Sequence, residues 1–234
     1  MWPYRLRRAE NMLMLALCCT AALASASDFS RLSDFAAGEI THNTVWINQI
    51  GETNFASIEQ GPVAASVADR QYADIIQIGS GNQAIVVQMG DANRVRISQD
   101  GSGYGISARE GMARVVQTGA ANTVDLLQMG DGNKFSAVQN GDGNSISFNA
   151  SDPFALALQR GARNRVELDQ QNGGNSFSGL QDGDDNVIVF SQNGGNDARV
   201  SETGNNNSVT YTQYSGGPRV DVVLTGSGLR ATVN

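Results

Sequence analysis

The sequence predicts an all-β fold, a β-solenoid of stacked strand–arc–strand repeats with 22 residues per rung and two parallel sheets that face each other. Three observations predict it. The phrase Q-x-G-x-x-N recurs intact eight times, half-repeats begin mostly eleven residues apart, and seven residues of alternating character follow each Asn. One match is expected per roughly ten thousand start positions at ordinary residue frequencies, so eight copies indicate a structural repeat.

The chain begins with a segment, residues 1–26, that has the pattern of a signal peptide. Three arginines within residues 5–8 precede an apolar run over residues 12–24, and the segment ends on Ala-Ser-Ala. The run is shorter than the about 20 residues that span a membrane. Both cysteines, Cys18 and Cys19, lie inside it. We therefore expect an exported chain without disulfides; lipid attachment to one of these cysteines is the less favoured alternative.

The repeats predict strands because their residues alternate with a period of two. In residues 93–99, NRVRISQ, the Asn, Val, Ile and Gln share one face and the two Arg and the Ser share the other. No 3.6-residue period competes with this alternation. The same frame yields seventeen half-repeats, each a strand of about seven residues. They begin at Asn43, Asn54, Gln71, Asn82, Asn93, Gly111, Asn122, Asn133, Asn144, Pro153, Asn164, Asn175, Asn186, Asn196, Asn207, Pro218 and Leu229.

Stacking of these units places odd strands on odd strands and even strands on even strands. Two parallel sheets then face each other across about 10 Å, with rungs about 4.8 Å apart, which is amyloid-like cross-β geometry. A chain of antiparallel hairpins is the local alternative. It is disfavoured because four-residue arcs recur where two-residue Asn-Gly turns would be expected.

The inward Gln and Asn require this stacking, because an unpartnered buried amide costs about 1–3 kcal/mol. In register, each amide can donate to the carbonyl oxygen of the amide on the next rung, as in the ladders of cross-β structures. The predicted ladder residues are Gln49, Asn54, Gln60, Gln77, Asn82, Gln88, Asn93, Gln99, Gln117, Asn122, Gln128, Asn133, Gln139, Asn144, Gln159, Asn164, Gln170, Gln181, Asn186, Gln192, Asn207 and Gln213.

The arcs between strands are rich in glycine, which tolerates the positive φ of tight turns. The predicted turn glycines are Gly51, Gly79, Gly90, Gly119, Gly130, Gly141, Gly161, Gly183 and Gly204. Residues 61–70 and 100–110 form two longer connections.

Three arc aspartates, Asp91, Asp142 and Asp184, fall on one edge of the stack, two rungs apart. Their spacing is close to 10 Å, near the Debye length at physiological salt. We hypothesise that they act as gatekeepers, far enough apart to permit stacking and frequent enough to slow it. Replacement of all three by Asn is then expected to accelerate assembly.

The repeat resembles a known family pattern, S-x5-Q-x-G-x2-N-x-A-x3-Q, the curlin repeat of curli subunits. Residues 82–88 (NQAIVVQ) and 54–60 (NFASIEQ) keep its Asn, Ala and Gln, and the resemblance covers about residues 43–234. The leading Ser is mostly missing, Ala is often Val, Ile or Phe, and the chain has more half-repeats than the familiar subunits. The resemblance implies a secretion segment over residues 27–42, read by the curli secretion pore. A merely disordered lead is the alternative.

The resemblance implies a secreted structural subunit that assembles with itself, and with other curlin subunits, into extracellular amyloid fibres for adhesion and biofilm matrix. Such a chain is exported through the periplasm to the cell surface. The alternative is a monomeric secreted β-solenoid that binds a polysaccharide or another surface through its outward sheet. The outward residues vary too much from strand to strand to favour a flat binding array.

Composition disfavours several other functions. Without residues 1–26, which hold three Arg and one Glu, the chain carries 13 basic and 22 acidic residues. Such a polyanion gains no counterion-release free energy on nucleic acid and nothing at an anionic membrane surface. The single histidine, His42, lies outside the repeats, so we predict no catalytic residue, no metal ligand and no cofactor site. The eleven-residue period also differs from the nonapeptide of calcium-binding β-helices.

Overall fold

The structure is a computed structural model that describes residues 28–30, 43–61, 70–101, 111–130, 132–151, 153–214, 217 and 219–233. All its regular elements are strands. They are β1 (Asp28–Ser30), β2 (Thr44–Ile50), β3 (Phe55–Gly61), β4 (Tyr72–Gly79), β5 (Gln83–Met89), β6 (Arg94–Gly101), β7 (Met112–Thr118), β8 (Thr123–Met129), β9 (Lys134–Asn140), β10 (Ser145–Ser151), β11 (Pro153–Arg160), β12 (Arg165–Gln171), β13 (Asn175–Asp182), β14 (Val187–Asn193), β15 (Asp197–Thr203), β16 (Ser208–Gln213), β17 (Val220–Thr225) and β18 (Arg230–Val233).

The strands form two sheets, which we name A and B. Sheet A has the order β1-β2-β4-β6-β8-β10-β12-β14-β16-β18, and sheet B has the order β17-β15-β13-β11-β9-β7-β5-β3. Every neighbouring pair from β2 to β18 is parallel, and equivalent residues of the repeat stand in register, as Gln77 does with Gln99. The predicted β-solenoid of two facing parallel sheets with 22 residues per rung is confirmed, and the antiparallel hairpin alternative is wrong.

The seventeen half-repeats of the sequence correspond one to one to β2–β18. β1 was not anticipated: it lies in the segment 27–42 and pairs antiparallel with β2, so that Asp28 stands opposite Gln49. The remainder of that segment, His42, the signal-peptide segment 1–26 and most of the two long connections lie outside the described residues. The predictions made for them stay predictions.

The core between the sheets is a double row of small and aliphatic side chains that enlarges to aromatic rings in its C-terminal half. Phe135 and Phe148 stack with centroids 4.7 Å apart, and Phe190 lies 4.3 Å from the Tyr211 ring. Sheet B makes room for these rings by reducing one inward position to Ala137, Ala157 and Gly179 on consecutive strands. A Cβ at Gly179 would lie 2.6 Å from the Phe177 ring, so this position has no room for a larger side chain unless the ring moves.

Candidate functional site: two buried amide rows and a glycine edge

The sheet-B row is a continuous line of buried amides. Its members are Gln60, Gln88, Gln117, Gln139, Gln159 and Gln181. In each of the first five, Nε2 donates to the Oε1 atom of the next rung, over 2.7–2.9 Å. Since all bonds point toward the C-terminal rungs, the amide dipoles are aligned, and such chains polarise one another.

Most of these amides also bond across the core to sheet A. Gln139 Nε2 donates to the Thr123 carbonyl over 3.1 Å, and Gln159 Nε2 donates to the Ser145 carbonyl over 3.1 Å. One N–H of a Gln therefore links successive rungs while the other ties the two sheets together. Gln suits this position because its amide offers two donors and reaches both directions from one inward site.

The sheet-A row is interrupted. Gln49, Gln77, Gln99 and Gln128 are linked by hydrogen bonds of 2.6–2.9 Å, but the next rung carries Ala150. Gln128 Nε2 and Gln170 Oε1, on either side of that alanine, are buried without a hydrogen-bond partner. Each such atom costs about 1–3 kcal/mol. The glutamine ladder that we expected on both sheets is thus continuous on sheet B only, whereas the asparagine side chains of sheet A form an unbroken ladder from Asn93 to Asn186.

A second interruption in sheet A follows Gln192. Gln170 donates to Gln192 over 2.6 Å, but Gln192 Nε2 is buried without a partner. The next amide in register, Gln213, accepts instead from the Tyr211 hydroxyl. The Tyr211 ring packs in the aromatic half of the core, against Phe190. Its hydroxyl therefore donates to the Gln213 Oε1 atom, which would otherwise accept from Gln192.

Glu202 ends the sheet-B row. Its Oε2 atom accepts from Gln181 Nε2 over 2.8 Å, its Oε1 atom is buried without a partner, and the next rung carries Leu224. Burial raises the pKa of Glu202 to about 7, against the lowering effect of the Gln181 hydrogen bond. A carboxyl group buried at the end of an amide row is therefore close to half-ionised at neutral pH.

The inward asparagines act mainly on the arcs. The Asn144 side chain is part of an amide ladder, since its Nδ2 donates to Asn122 Oδ1 over 3.1 Å. Two further bonds involve the backbone: the Asn144 N–H donates to Asn122 Oδ1 over 3.0 Å, and its Nδ2 also donates to the Gly161 carbonyl of the next arc over 2.8 Å. The same two bonds recur through Asn164, Asn186 and Asn207. Asn is required because its short amide reaches two backbone groups beside the turn.

The arcs that leave sheet B form a regular edge, which we call the glycine edge. It comprises Gly90, Gly119, Gly141, Gly161, Gly183, Gly204 and Gly226, all with positive φ. A Cβ on any of the first six would lie 1.9–2.2 Å from the carbonyl oxygen of the next glycine along the edge. These positions need glycine both for its φ and for the close approach of successive backbones. The other predicted turn glycines, Gly51, Gly79 and Gly130, lie on the opposite edge and also have positive φ.

The repeat also matches a family model. Residues 69–101, which contain β4, β5 and β6, match the curlin associated repeat. The chain therefore contains a curlin associated repeat. No curated protein and no solved structure matches this curlin-repeat chain.

The three gatekeeper candidates lie together on the glycine edge and also make hydrogen bonds there. Asp142 Oδ1 accepts from the Ala120 backbone N–H over 2.7 Å, and Asp184 Oδ1 accepts from Ala162 over 2.7 Å. Asp91 accepts from the Arg70 backbone N–H over 3.2 Å and forms an ion pair with its guanidinium group at 3.5 Å. These carboxylates therefore bring negative charge to the edge and also accept hydrogen bonds from backbone N–H groups there. The sequence did not reveal these hydrogen bonds.

Sequence reasoning missed the consequences of two residues. Ala150 occupies the seventh position of its half-repeat, where Gln is usual, and Glu202 replaces Gln in the motif; an alignment of half-repeats shows both. What the alignment does not show is that Ala150 leaves one atom of each neighbouring amide, Gln128 Nε2 and Gln170 Oε1, without a partner, and that Glu202 is buried.

The curlin repeat and the solenoid fold are structural rather than enzymatic in character. Within the described part of the chain, no group of three or more His, Cys, Asp or Glu side chains is placed to hold a metal ion. The same residues contain no helix long and apolar enough to cross a bilayer.

Proposed function

We propose that this chain is a secreted subunit that assembles with itself into extracellular curli-type amyloid fibres, which serve adhesion and biofilm matrix. The observation that carries the proposal is the state of the strand edges. Within the described residues, β3, β17 and β18 each pair on one side only. A parallel stack that is open at both ends of sheet B presents rows of backbone donors and acceptors, which template further strands.

Growth is head to tail. The end formed by β17 and β18 of one copy receives the end formed by β2 and β3 of the next, so that strand direction and rung spacing continue. β1 covers the outer side of β2, so addition at that end starts on β3 or displaces β1. Continuation relies on backbone hydrogen bonds, since Leu224 separates Glu202 from any Gln60 that a second copy would bring. The amide row of sheet B therefore ends at Glu202 and does not reach the boundary between copies.

The family resemblance supports the remaining parts of the proposal: removal of residues 1–26 on export, recognition of residues 27–42 by the curli secretion pore, and co-assembly with other curlin subunits. The acidic composition supports a chain that avoids nucleic acid and anionic membranes.

The test is assembly from denaturant. Dilution of residues 27–234 is expected to yield fibres with reflections near 4.7–4.8 Å and about 10 Å. A chain that remains a soluble monomer for days would contradict the proposal and favour a monomeric solenoid that binds a surface.

The gatekeeper prediction uses the Asp-to-Asn change at Asp91, Asp142 and Asp184. Asn keeps an Oδ1 acceptor, and Asn205 already accepts from the Asp184 backbone N–H over 2.8 Å on this edge. The triple variant therefore preserves the arcs and removes three negative charges, and a lag time several-fold shorter in a dye-binding assay is expected. Asp125→Asn, on the outward face of sheet A, is the matched control. An unchanged lag in the triple variant would remove the gatekeeper role.

A further inference from the structure

The outer faces of the two sheets differ in a way that only the register reveals. On sheet B, one outward position is aliphatic on five consecutive strands, in register throughout. We call this the aliphatic stripe; its members are Val87, Val116, Val138, Leu158 and Leu180. Four steps of about 4.8 Å give it a length of about 19 Å.

The stripe widens on β11. There Phe154 is 53% exposed and Leu156 is 39% exposed, so three outward positions of one strand are apolar. On sheet A the equivalent outward position carries Ser98, Leu127, Asn149 and Asp169 on consecutive strands. A continuous apolar line is therefore a property of sheet B alone among the described strands.

The charge on this face is nearly balanced although the chain is strongly acidic. The outward positions of sheet B carry five basic and four acidic side chains: Arg114, Lys134, Arg160, Arg199 and Arg219, with Glu59, Asp182, Asp197 and Asp221. Two copies can approach through this face without the net repulsion that the excess of acidic residues produces elsewhere.

We propose that the aliphatic stripe is the lateral contact surface between two copies of this chain, sheet B against sheet B, and that it pairs filaments. The partner is a second copy because the stripe offers one aliphatic side chain per rung. An identical stripe matches that period along its whole length, and interdigitation of such rows is how paired cross-β sheets pack. The inference rests on the proposed fibre function.

The size of the stripe predicts when pairing occurs. The stripe measures about 19 Å by roughly 7 Å, the second figure being the distance between alternate residues of a strand. This area is far below the about 800 Å² that each partner buries in a stable complex. Single folded copies therefore stay unpaired. In a fibre each added copy contributes another stripe on the same side, and the contacts act together.

The test is a variant with Val116→Thr, Val138→Thr and Leu158→Thr, which places a β-branched, strand-favouring residue at all three positions. The matched control makes similar changes on the outward face of sheet A, at Leu127, Val187 and Val189. Mass per length and fibre width are measured by electron microscopy on fibres of the purified chain. Wild type and control are expected to form paired filaments, and the stripe variant single filaments with about half the mass per length.

A second variant, Ser136→Arg, leaves the stripe intact and adds a positive charge beside Arg114 and Lys134 in both copies, so that the two faces repel each other. It is expected to separate the filaments at low salt and to allow pairing at high salt. Single filaments in the wild type, or pairing that persists in both variants, would overturn the inference and leave the proposed function standing. Wild-type chain that gives no cross-β fibres would overturn the proposed function itself, and the inference with it.

Discussion

Gly141→Ala is expected to destabilise the folded stack by about 3–5 kcal/mol, which exceeds the about 1–3 kcal/mol of backbone strain alone. Gly141 has φ +125°, a conformation that side-chain-bearing residues rarely adopt, and an added Cβ would lie 2.0 Å from the Gly161 carbonyl oxygen. That oxygen belongs to the backbone and also accepts from Asn144 Nδ2 over 2.8 Å. Relief of the clash must therefore separate two rungs and lengthen this bond.

The measurement is the urea midpoint of the folded chain, together with the yield of fibres. Gly195→Ala is the control that separates backbone strain from the steric clash of the added Cβ. Gly195 also has a positive φ, +59°, but nothing lies within 4 Å of an added Cβ. This variant is expected to lose about 1 kcal/mol of stability, since seven non-glycine residues in the described part of the chain already adopt similar φ values. Equal losses at Gly141 and Gly195 would contradict the close-packing account of the glycine edge.

Glu202→Gln is expected to stabilise the folded chain by about 3 kcal/mol above pH 7 and to have little effect below pH 4.5. Burial raises the pKa of Glu202 from 4.5 to about 7, and each unit corresponds to about 1.4 kcal/mol. The folded state binds the proton more tightly than the unfolded state. Stability therefore falls as pH rises from about 4.5 to about 7, and the penalty of burying the ionised carboxylate is complete above that window.

The measurement is the free energy of unfolding of the wild type and the Gln variant across pH 4–8. A Gln at this position still accepts from Gln181, as Glu202 does, without the charge. Glu59→Gln is the matched control, since Glu59 is exposed on the outward face of sheet B. Parallel pH profiles for wild type and Glu202→Gln would show that the carboxylate is not buried at the end of the row.

The strands and their stacking were predictable because their signal is local and repeated. Alternation in residues 93–99 assigns the inward face, and the recurrence of Q-x-G-x-x-N defines which residues share a rung position. Every one of seventeen half-repeats then corresponds to a strand. Inward amides predicted parallel, in-register stacking because only that arrangement supplies them with partners.

The two edges of the stack were less predictable. The glycine edge follows from the motif, but the opposite edge loses its asparagines at Gly111 and Pro153. Between them the Asn133 side chain donates only to its own arc, to the Met129 and Gly130 carbonyls, and its Oδ1 atom is buried without a partner. A motif match at one rung says nothing about whether the rungs above and below also match.

By itself the sequence determined the inward and outward faces, the 22-residue rung and the positions that only glycine can occupy, because each follows from the period of a strand and the chemistry of a turn. The tertiary structure alone decided which residues meet across rungs: the two amides left open beside Ala150, the burial of Glu202, the pairing of β1 with β2 and the aliphatic stripe. These depend on neighbours about 20–29 residues away. Hydrogen-bond satisfaction, desolvation and surface patches are properties of such neighbours in space, and a single repeat does not contain them.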